Sequence, residues 1–458
     1  MVLRQLAQRV DDLPTLAQRA TARRLLARPT DGSQAVGGEP KYGTAPASEL
    51  CDAHVCVHWV TTGPQRVAST DSDHNGVPDQ VDTTRSDLAH VYAKEVEKMG
   101  YRSPRTDTAS GDHGSNGKLD IYLGDLGEQG LYGYCTTDQP HANRLPKVSA
   151  YCVLDNDYDP RQFPEHTPLQ NLQVTAAHEF FHAVQYAYDW LEDLWFMEGT
   201  AVWMEDQVYD GVNDNRQYLV YSPLSYPEVP VDFNDQTYQP YGSWIFWRFL
   251  TEWAGKGRRD DPTLIRQVWI SAGRGANYST RALTKVLAAR RTSLPEAFRT
   301  FGTWIRNPGR YFREGSHYSP AQQERRFTVT KARRSVAPFR VPMNHLSNSF
   351  VRFTPGRSLA GTWKLRVSVN MADRSRGSVA QLALRRRNGS LTVRSITLSR
   401  TGNGTRTFDF RRSIISYLDL DMVNASARFR CHRGTTLSCG GVALDDDLRA
   451  TVTAKAVR

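Results

Sequence analysis

The spacing of apolar residues changes twice along this chain. Residues 3–28 carry Leu3, Leu6, Val10, Leu13 and Leu16 at helical intervals with arginines among them, which predicts a short helical segment. LARPTDGSQAVGGEP, residues 26–40, follows, and its glycines, prolines and serine predict a linker. The pair reads either as a leader or pro-segment ahead of a secreted domain or as a plain helical hairpin. From about residue 41 to 325 short strands alternate with long amphipathic helices. SDLAHVYAKEVEKMG, residues 86–100, predicts a helix ended by Gly100, and KLDIYLGDL, residues 118–126, alternates like a strand. Thr167-Pro168-Leu169-Gln170 has the form of a capping box with proline at the first helical position, opening a helix to about Asp189. YGSWIFWRFLTEWAG, residues 241–255, is apolar almost all round, so a buried helix is expected.

After about residue 330 the period shortens to two. FRVPMNHLSNSFVRFTP, GTWKLRVSVN, VAQLALRRRNG, SLTVRSITLSR and RTFDF are alternating runs separated by Gly, Asn, Ser and Pro, which predicts an antiparallel β-sandwich. A chain of 458 residues exceeds one compact core. The expected organisation is α+β: residues 1–40 as leader and linker, 41–330 as the main domain, and 331–458 as the sandwich.

Charge sharpens that division. The net charge is +10, yet residues 331–458 hold 24 Lys and Arg against 7 Asp and Glu, while the first 330 hold 34 against 41. Twenty-one of those 24 cations are arginine and are scattered among strand-like runs. They are either solvated strand faces or the footprint of an anionic partner: a cell-wall polymer, an acidic glycan or nucleic acid. Solvated strand faces are the leading reading, and the partner to be expected otherwise is an anionic cell-surface polymer, without specific nucleic-acid recognition.

The six cysteines form three close pairs, Cys51/Cys56, Cys135/Cys152 and Cys431/Cys439, none with CxxC spacing. Small disulfide loops and an extracytoplasmic compartment are therefore expected. No window holds the roughly twenty apolar residues of a membrane span. MVLRQLAQRVDDLPTLAQRA also lacks the apolar core of a signal peptide, so a secreted protein implies a misplaced gene start or another export route.

DSDHNGVPDQVD, residues 71–82, matches a twelve-residue calcium loop. Asp71, Asp73, Asn75, the carbonyl of Val77, Asp79 and Asp82 occupy the ligand positions, with Gly76 at the sharp turn. The final Asp in place of Glu resembles dockerin and thrombospondin-type repeats. With no second loop beside it, a lone structural Ca²⁺ is expected rather than a sensor. Two further acidic stretches, Asp112 to Asp120 and Asp155 to Asp159, fit less well, because Gly114 stands where a ligand belongs and DNDYD can equally be a polar loop.

TAAHEFFHAVQY, residues 175–186, carries the strongest chemistry. His178 and His182 project from one helix face, either as a Zn²⁺ pair with Glu179 beside it or as two core histidines. A metzincin would place Gly at 185 and His at 188, but the chain has Gln185 and Tyr188. WFMEGTAVWMED, residues 195–206, supplies Glu198 as a third ligand. Glu205, seven residues on, shares its face and can orient a ligand histidine or be a plain surface carboxylate.

HEFFH followed by WFMEGTAVWME resembles the gluzincin metallopeptidases, the class containing thermolysin. The calcium loop, DIYLGDLG and YGSWIFWRFL are similar to stretches of secreted bacterial metalloproteases. The resemblance implies a zincin-like metallopeptidase domain over 41–330, with His178, His182 and Glu198 as zinc ligands and Glu179 as general base. It departs from that class in having fifteen residues between His182 and Glu198, fewer than its best-known members, and Met197 where Asn is usual. The resemblance further implies cleavage of protein or peptide substrates, with a Tyr or His stabilising the oxyanion. Tyr238 and Tyr241 are candidates for that role, or packing residues. The rival reading is a non-catalytic, calcium-stabilised adhesion protein on the same scaffold, which has no need of Glu179.

Overall fold

The computed structural model describes residues 2–31, 39–108, 116–234, 237–256 and 260–458. The middle of the predicted linker, 32–38, and the positions of Asp112 and Gly114 lie outside the described residues. The chain is α+β and divides into two compact units. One comprises Met1–Glu192 with Thr200–Arg216 and Ala272–Ala276; the other comprises Asp193–Gly199, Gln217–Ser271 and Asn277–Arg458.

The first unit begins with helices α1 (Val2–Arg9) and α2 (Leu16–Leu26). Its sheet contains β1 (Ala47–Cys51), β2 (Val55–Val60), β3 (Leu119–Gly124), β4 (Gly133–Thr136) and β5 (Tyr151–Asp155). The order is β1-β2-β3-β5-β4, with β2, β3 and β5 parallel and the two edge strands antiparallel to their neighbours. Every residue of β2, β3 and β5 is buried, as expected of parallel strands covered on both faces. Tyr42, Val60, Tyr122, Leu126, Tyr151 and Val153 form one apolar layer. Helices α3 (Asp79–Tyr92) and α4 (Pro168–Asp189) pack on the sheet and on each other. Helix α5 spans Leu194–Val208.

Helix α4 forms for the reasons its sequence gives. The Thr167 hydroxyl accepts from Gln170 N, the Gln170 side chain returns the bond, and Pro168 opens the first turn. No interior Gly or Pro interrupts it, and seventeen of its 22 residues are buried. Helix α3 departs from expectation. It starts at Asp79, seven residues before the predicted Ser86, because Asp79 and Asp82 place negative charge in its first turn. It then widens into a π-turn over Ala93–Lys98 before Gly100, at φ +74°, releases the chain.

The predicted leader is docked into the first unit. Arg4 Nε donates to Trp190 O at 3.0 Å. Tyr151 Oη donates to Leu26 O at 2.9 Å. Arg28 is buried among Asp107, Asp120 and Asp138.

The second unit holds helices α6 (Gln239–Gly242), α7 (Trp244–Ala254), α8 (Thr263–Ala272, up to Ser271), α9 (Ser279–Ala289) and α10 (Leu294–Arg306). The predicted buried helix at 241–255 is thus two helices meeting at Ser243, whose hydroxyl donates to Trp195 O at 2.9 Å. Its apolar character is explained by Trp244–Glu252, all buried.

The sandwich follows. Strands β6 (Arg325–Val329), β7 (Ser335–Met343), β8 (Ser347–Pro355), β9 (Lys364–Asn370), β10 (Ser378–Arg386), β11 (Leu391–Ile396), β12 (Asn403–Asp409), β13 (Ile415–Asn424), β14 (Phe429–Arg430), β15 (Val442–Ala443) and β16 (Leu448–Val457) are described. Two sheets, β11-β10-β13-β8-β6 and β12-β9-β16-β7, enclose a shared apolar core. All pairs are antiparallel except β6 with β8, which run parallel because β6 enters at Arg325 from the helical part of the chain. Leu365 and Val367 point inward while Lys364 and Arg366 stay exposed, so many of the scattered cations are solvated strand positions. Helix α10 covers β10 and β13.

All six cysteines pair as expected, Cys51–Cys56, Cys135–Cys152 and Cys431–Cys439. Cys135 and Cys152 sit opposite each other across β4 and β5, so their bond ties the edge strand to the sheet. No helix among the described residues is long and apolar enough to cross a membrane.

Candidate metal centre

Helix α4 places the His178 and His182 rings one turn apart, 4.7 Å between centroids and nearly perpendicular. Both residues are buried. His178 Nδ1 lies 2.6 Å from Glu205 Oε1, and His182 Nδ1 lies 2.7 Å from Gln185 Oε1. Gln185 Nε2 in turn donates to the Thr200 hydroxyl at 3.0 Å. With Nδ1–H donating to the Glu205 and Gln185 oxygens, each Nε2 keeps its lone pair for a metal.

His178, His182 and Glu198 each offer one ligand atom, and these atoms all lie within 4.8 Å of one another. Two imidazole nitrogens and a carboxylate oxygen are the donor set that suits Zn²⁺ with one position open. Glu205 is the buried carboxylate beside His178 rather than a surface group. Burial pushes its carboxyl up to about 8, against the pull of His178. Its Oε2 has no hydrogen-bond partner among the described residues.

Glu179 follows His178 on α4 and is buried. A Cβ at Gly133 would fall 3.0 Å from Glu179 Cγ and 2.8 Å from Thr175 Cγ2, so edge strand β4 packs closely on these two side chains of α4. Tyr238 and Tyr241 lie in an aromatic cluster with Tyr218 and Tyr221, and Tyr238 is half exposed.

Two residues were missed by sequence reasoning. Gln185 served only to exclude the metzincin pattern, and its role depends on Thr200 from another helix. Glu95, on the π-turn, is fully buried with neither oxygen hydrogen-bonded among the described residues. Burial drives its carboxyl well above the usual range, while His178 pulls it back. The signal was available: Leu88, Val91 and Glu95 share one helical stripe, and a carboxylate on an apolar stripe is out of place.

In the loop 71–82, expected to hold calcium, Asp71 accepts from Asn75 N at 3.1 Å and from Gly76 N at 2.9 Å. Asn75 Nδ2 donates to Asp73 at 3.1 Å and to Asp82 at 2.9 Å, which brings these four side chains together. Gly76 takes φ +85°, as the sharp turn requires. Asp79 is turned to Ser72 instead, accepting from its N at 2.8 Å and its hydroxyl at 2.7 Å. The DNDYD stretch is a structural turn: Asp155 accepts from the backbone N–H of Leu126, Gly127, Asp157 and Tyr158. Asp120 faces Arg28 and His58 rather than a cation site.

No protein-family model matches the chain, and no curated protein does. Among solved structures it is similar to the pre-peptidase C-terminal domain of a collagenase from Bacillus anthracis. That match has 9% identity and a TM-score of 0.18, covering 30% of this chain and 97% of that one. It is also similar to a family GH115 4-O-methyl-α-glucuronidase at 10% identity and TM-score 0.16, over 65% of this chain and 40% of that one. At those scores neither likeness extends to fold or function.

Proposed function

We propose that this chain is a secreted zinc metallopeptidase of the gluzincin kind, with a zincin-like domain built around α4 and α5. The observation that supports this reading is the buried histidine pair whose Nδ1 atoms each lie against a side-chain oxygen, with one ligand atom each of His178, His182 and Glu198 within 4.8 Å of one another. Zinc, when bound, supplies Lewis acidity to a scissile carbonyl and to water. His178, His182 and Glu198 would hold it, while Glu205 and Gln185 keep the rings in register.

Glu179 takes a proton from the attacking water and delivers it to the leaving amine. Strand β4 is a sheet edge tied down by the Cys135–Cys152 bond, and its Gly133 lies against Glu179. An extended peptide pairing along that edge would bring its backbone to the general base, which favours a peptide substrate. Ca²⁺ in the loop 71–82 would stabilise the first unit, and the three disulfides accord with an extracellular setting. The basic second unit would meet an anionic cell-surface polymer.

The deciding experiment compares metal content and casein cleavage of the wild type with those of Glu179→Gln. About one zinc per chain in both proteins, with cleavage lost only in the variant, is expected. Folded wild type without zinc would refute the reading. Zinc without cleavage of any peptide library would leave a binding protein.

A further inference from the structure

A groove of about 550 Å³ opens within the second unit, between α9, the start of α10, the turn before β10 and the chain leaving β13. Four cations line it from three parts of the chain: Arg281 and Lys285 one turn apart on α9, Arg376 on the turn, and Arg428 after β13. The turn is pressed close to the chain that carries Arg428. Gly377 sits at φ +88°, where a Cβ would meet Ala425 C at 2.6 Å. Behind it the buried Asp445 pairs with both Arg376, at 3.5 Å, and Arg428, at 3.0 Å, and accepts from the Ser426 hydroxyl at 2.7 Å. One carboxylate thus orients two guanidinium groups and neutralises at most one.

Arg281 makes no ion pair among the described residues, and Lys285 is held by the neutral Asn277 amide. The excess positive charge is local and belongs to a concave surface. Between the cations the wall is apolar, with the half-buried Tyr278 ring and Leu294 at the start of α10. A sugar ring bearing a carboxylate or sulfate has that alternation: C–H faces for the apolar wall and acid groups for the cations. Nucleic acid fits less well, because Tyr278 is the single aromatic ring in the lining and successive bases need successive stacking faces.

We propose that this groove binds a segment of acidic glycan. It locates the anionic-polymer contact suggested for the second unit and requires neither metal nor peptidase activity, so its failure leaves the zinc reading untouched.

The test is calorimetric titration of the full chain with tetragalacturonate, which carries carboxylates, and with a heparin tetrasaccharide, which carries sulfates. Maltotetraose, inorganic phosphate and a short single-stranded DNA serve as comparisons. Arg281→Gln/Lys285→Gln removes two exposed groove cations, and Arg394→Gln/Arg449→Gln removes two exposed strand-face cations as a charge-matched control. We expect the groove pair to weaken glycan binding by about tenfold or more and the control pair by less than about twofold, with melting temperatures unchanged. Preference for tetragalacturonate assigns a carboxylated glycan, and preference for heparin a sulfated one. Absence of binding to both, equal weakening by the two pairs, or tighter binding of phosphate or DNA than of either glycan would overturn the proposal.

Discussion

Glu205 Oε1 and His178 Nδ1 are 2.6 Å apart inside the first unit, and an ionised carboxylate there, accepting from Nδ1–H, leaves Nε2 without a proton. The opposite tautomer would put N–H where a metal needs a lone pair. Glu205→Ala is expected to weaken zinc binding by about 10- to 100-fold, measured by competition with a chromophoric chelator. Glu205→Gln retains an oxygen acceptor for Nδ1–H and should lose less. Equal zinc affinity in the wild type and both variants would show that the contact is packing alone.

His345 gives a pH dependence in the second unit. Its Nε2 lies 2.9 Å from Asp232 and its Nδ1 2.9 Å from Asp446. Burial alone would lower its pKa, but the two carboxylates outweigh burial and push it up to about 10 from an ordinary 6.5. The folded value lies above the unfolded one, so the stabilisation is complete below pH 6.5 and drains away as pH rises toward 10. The melting temperature should therefore fall across that window in the wild type. His345→Gln should melt lower at neutral pH and lose this slope. Parallel curves for the two proteins would contradict the assignment.

The legible parts of the sequence are those whose partners lie within one or two helical turns. The Thr167–Gln170 capping box, the His178/His182 pair and the alternation Lys364-Leu365-Arg366-Val367 are all local patterns. Glu198 and Glu205 were reachable because one helix keeps their spacing. The start of α3 was misjudged because the acidic residues read as calcium ligands also favour a helix first turn. Gln185 and Arg28 were missed because their partners come from distant segments. No period in the sequence marks such a pair.

The loop 71–82 concentrates Asp71, Asp73, Asp79 and Asp82 beside one weak counter-charge, Arg85, which lies 4.0 Å from Asp82. A bound divalent cation would relieve that repulsion, and at a hundredfold excess over its dissociation constant it would stabilise the protein by about 2.7 kcal/mol. Adding Ca²⁺ to chelated protein should raise the melting temperature, and Asp73→Ala/Asp82→Ala should abolish the rise. The double variant separates this effect from zinc, which a chelator also removes. A wild-type melting temperature indifferent to Ca²⁺ would remove the ion from the account.

Arg28 tests whether the N-terminal segment can be a detachable leader. Its guanidinium is about 1% exposed and reaches Asp138 at 2.7 Å and Asp107 at 3.3 Å. It also reaches Asp120, which His58 approaches at 2.8 Å. Removing the cation leaves buried carboxylates that must either stay charged without it or take up protons. Arg28→Met should therefore destabilise the protein by about 3–5 kcal/mol in urea denaturation. Adding Asp138→Asn removes one of the stranded charges and should recover part of that loss, which a simple packing defect would not allow. A chain lacking residues 1–31 would strand the same carboxylates and lose the anchors at Trp190 and Tyr151 as well. It should be less stable than Arg28→Met. A truncated protein as stable as the full chain would support the leader reading.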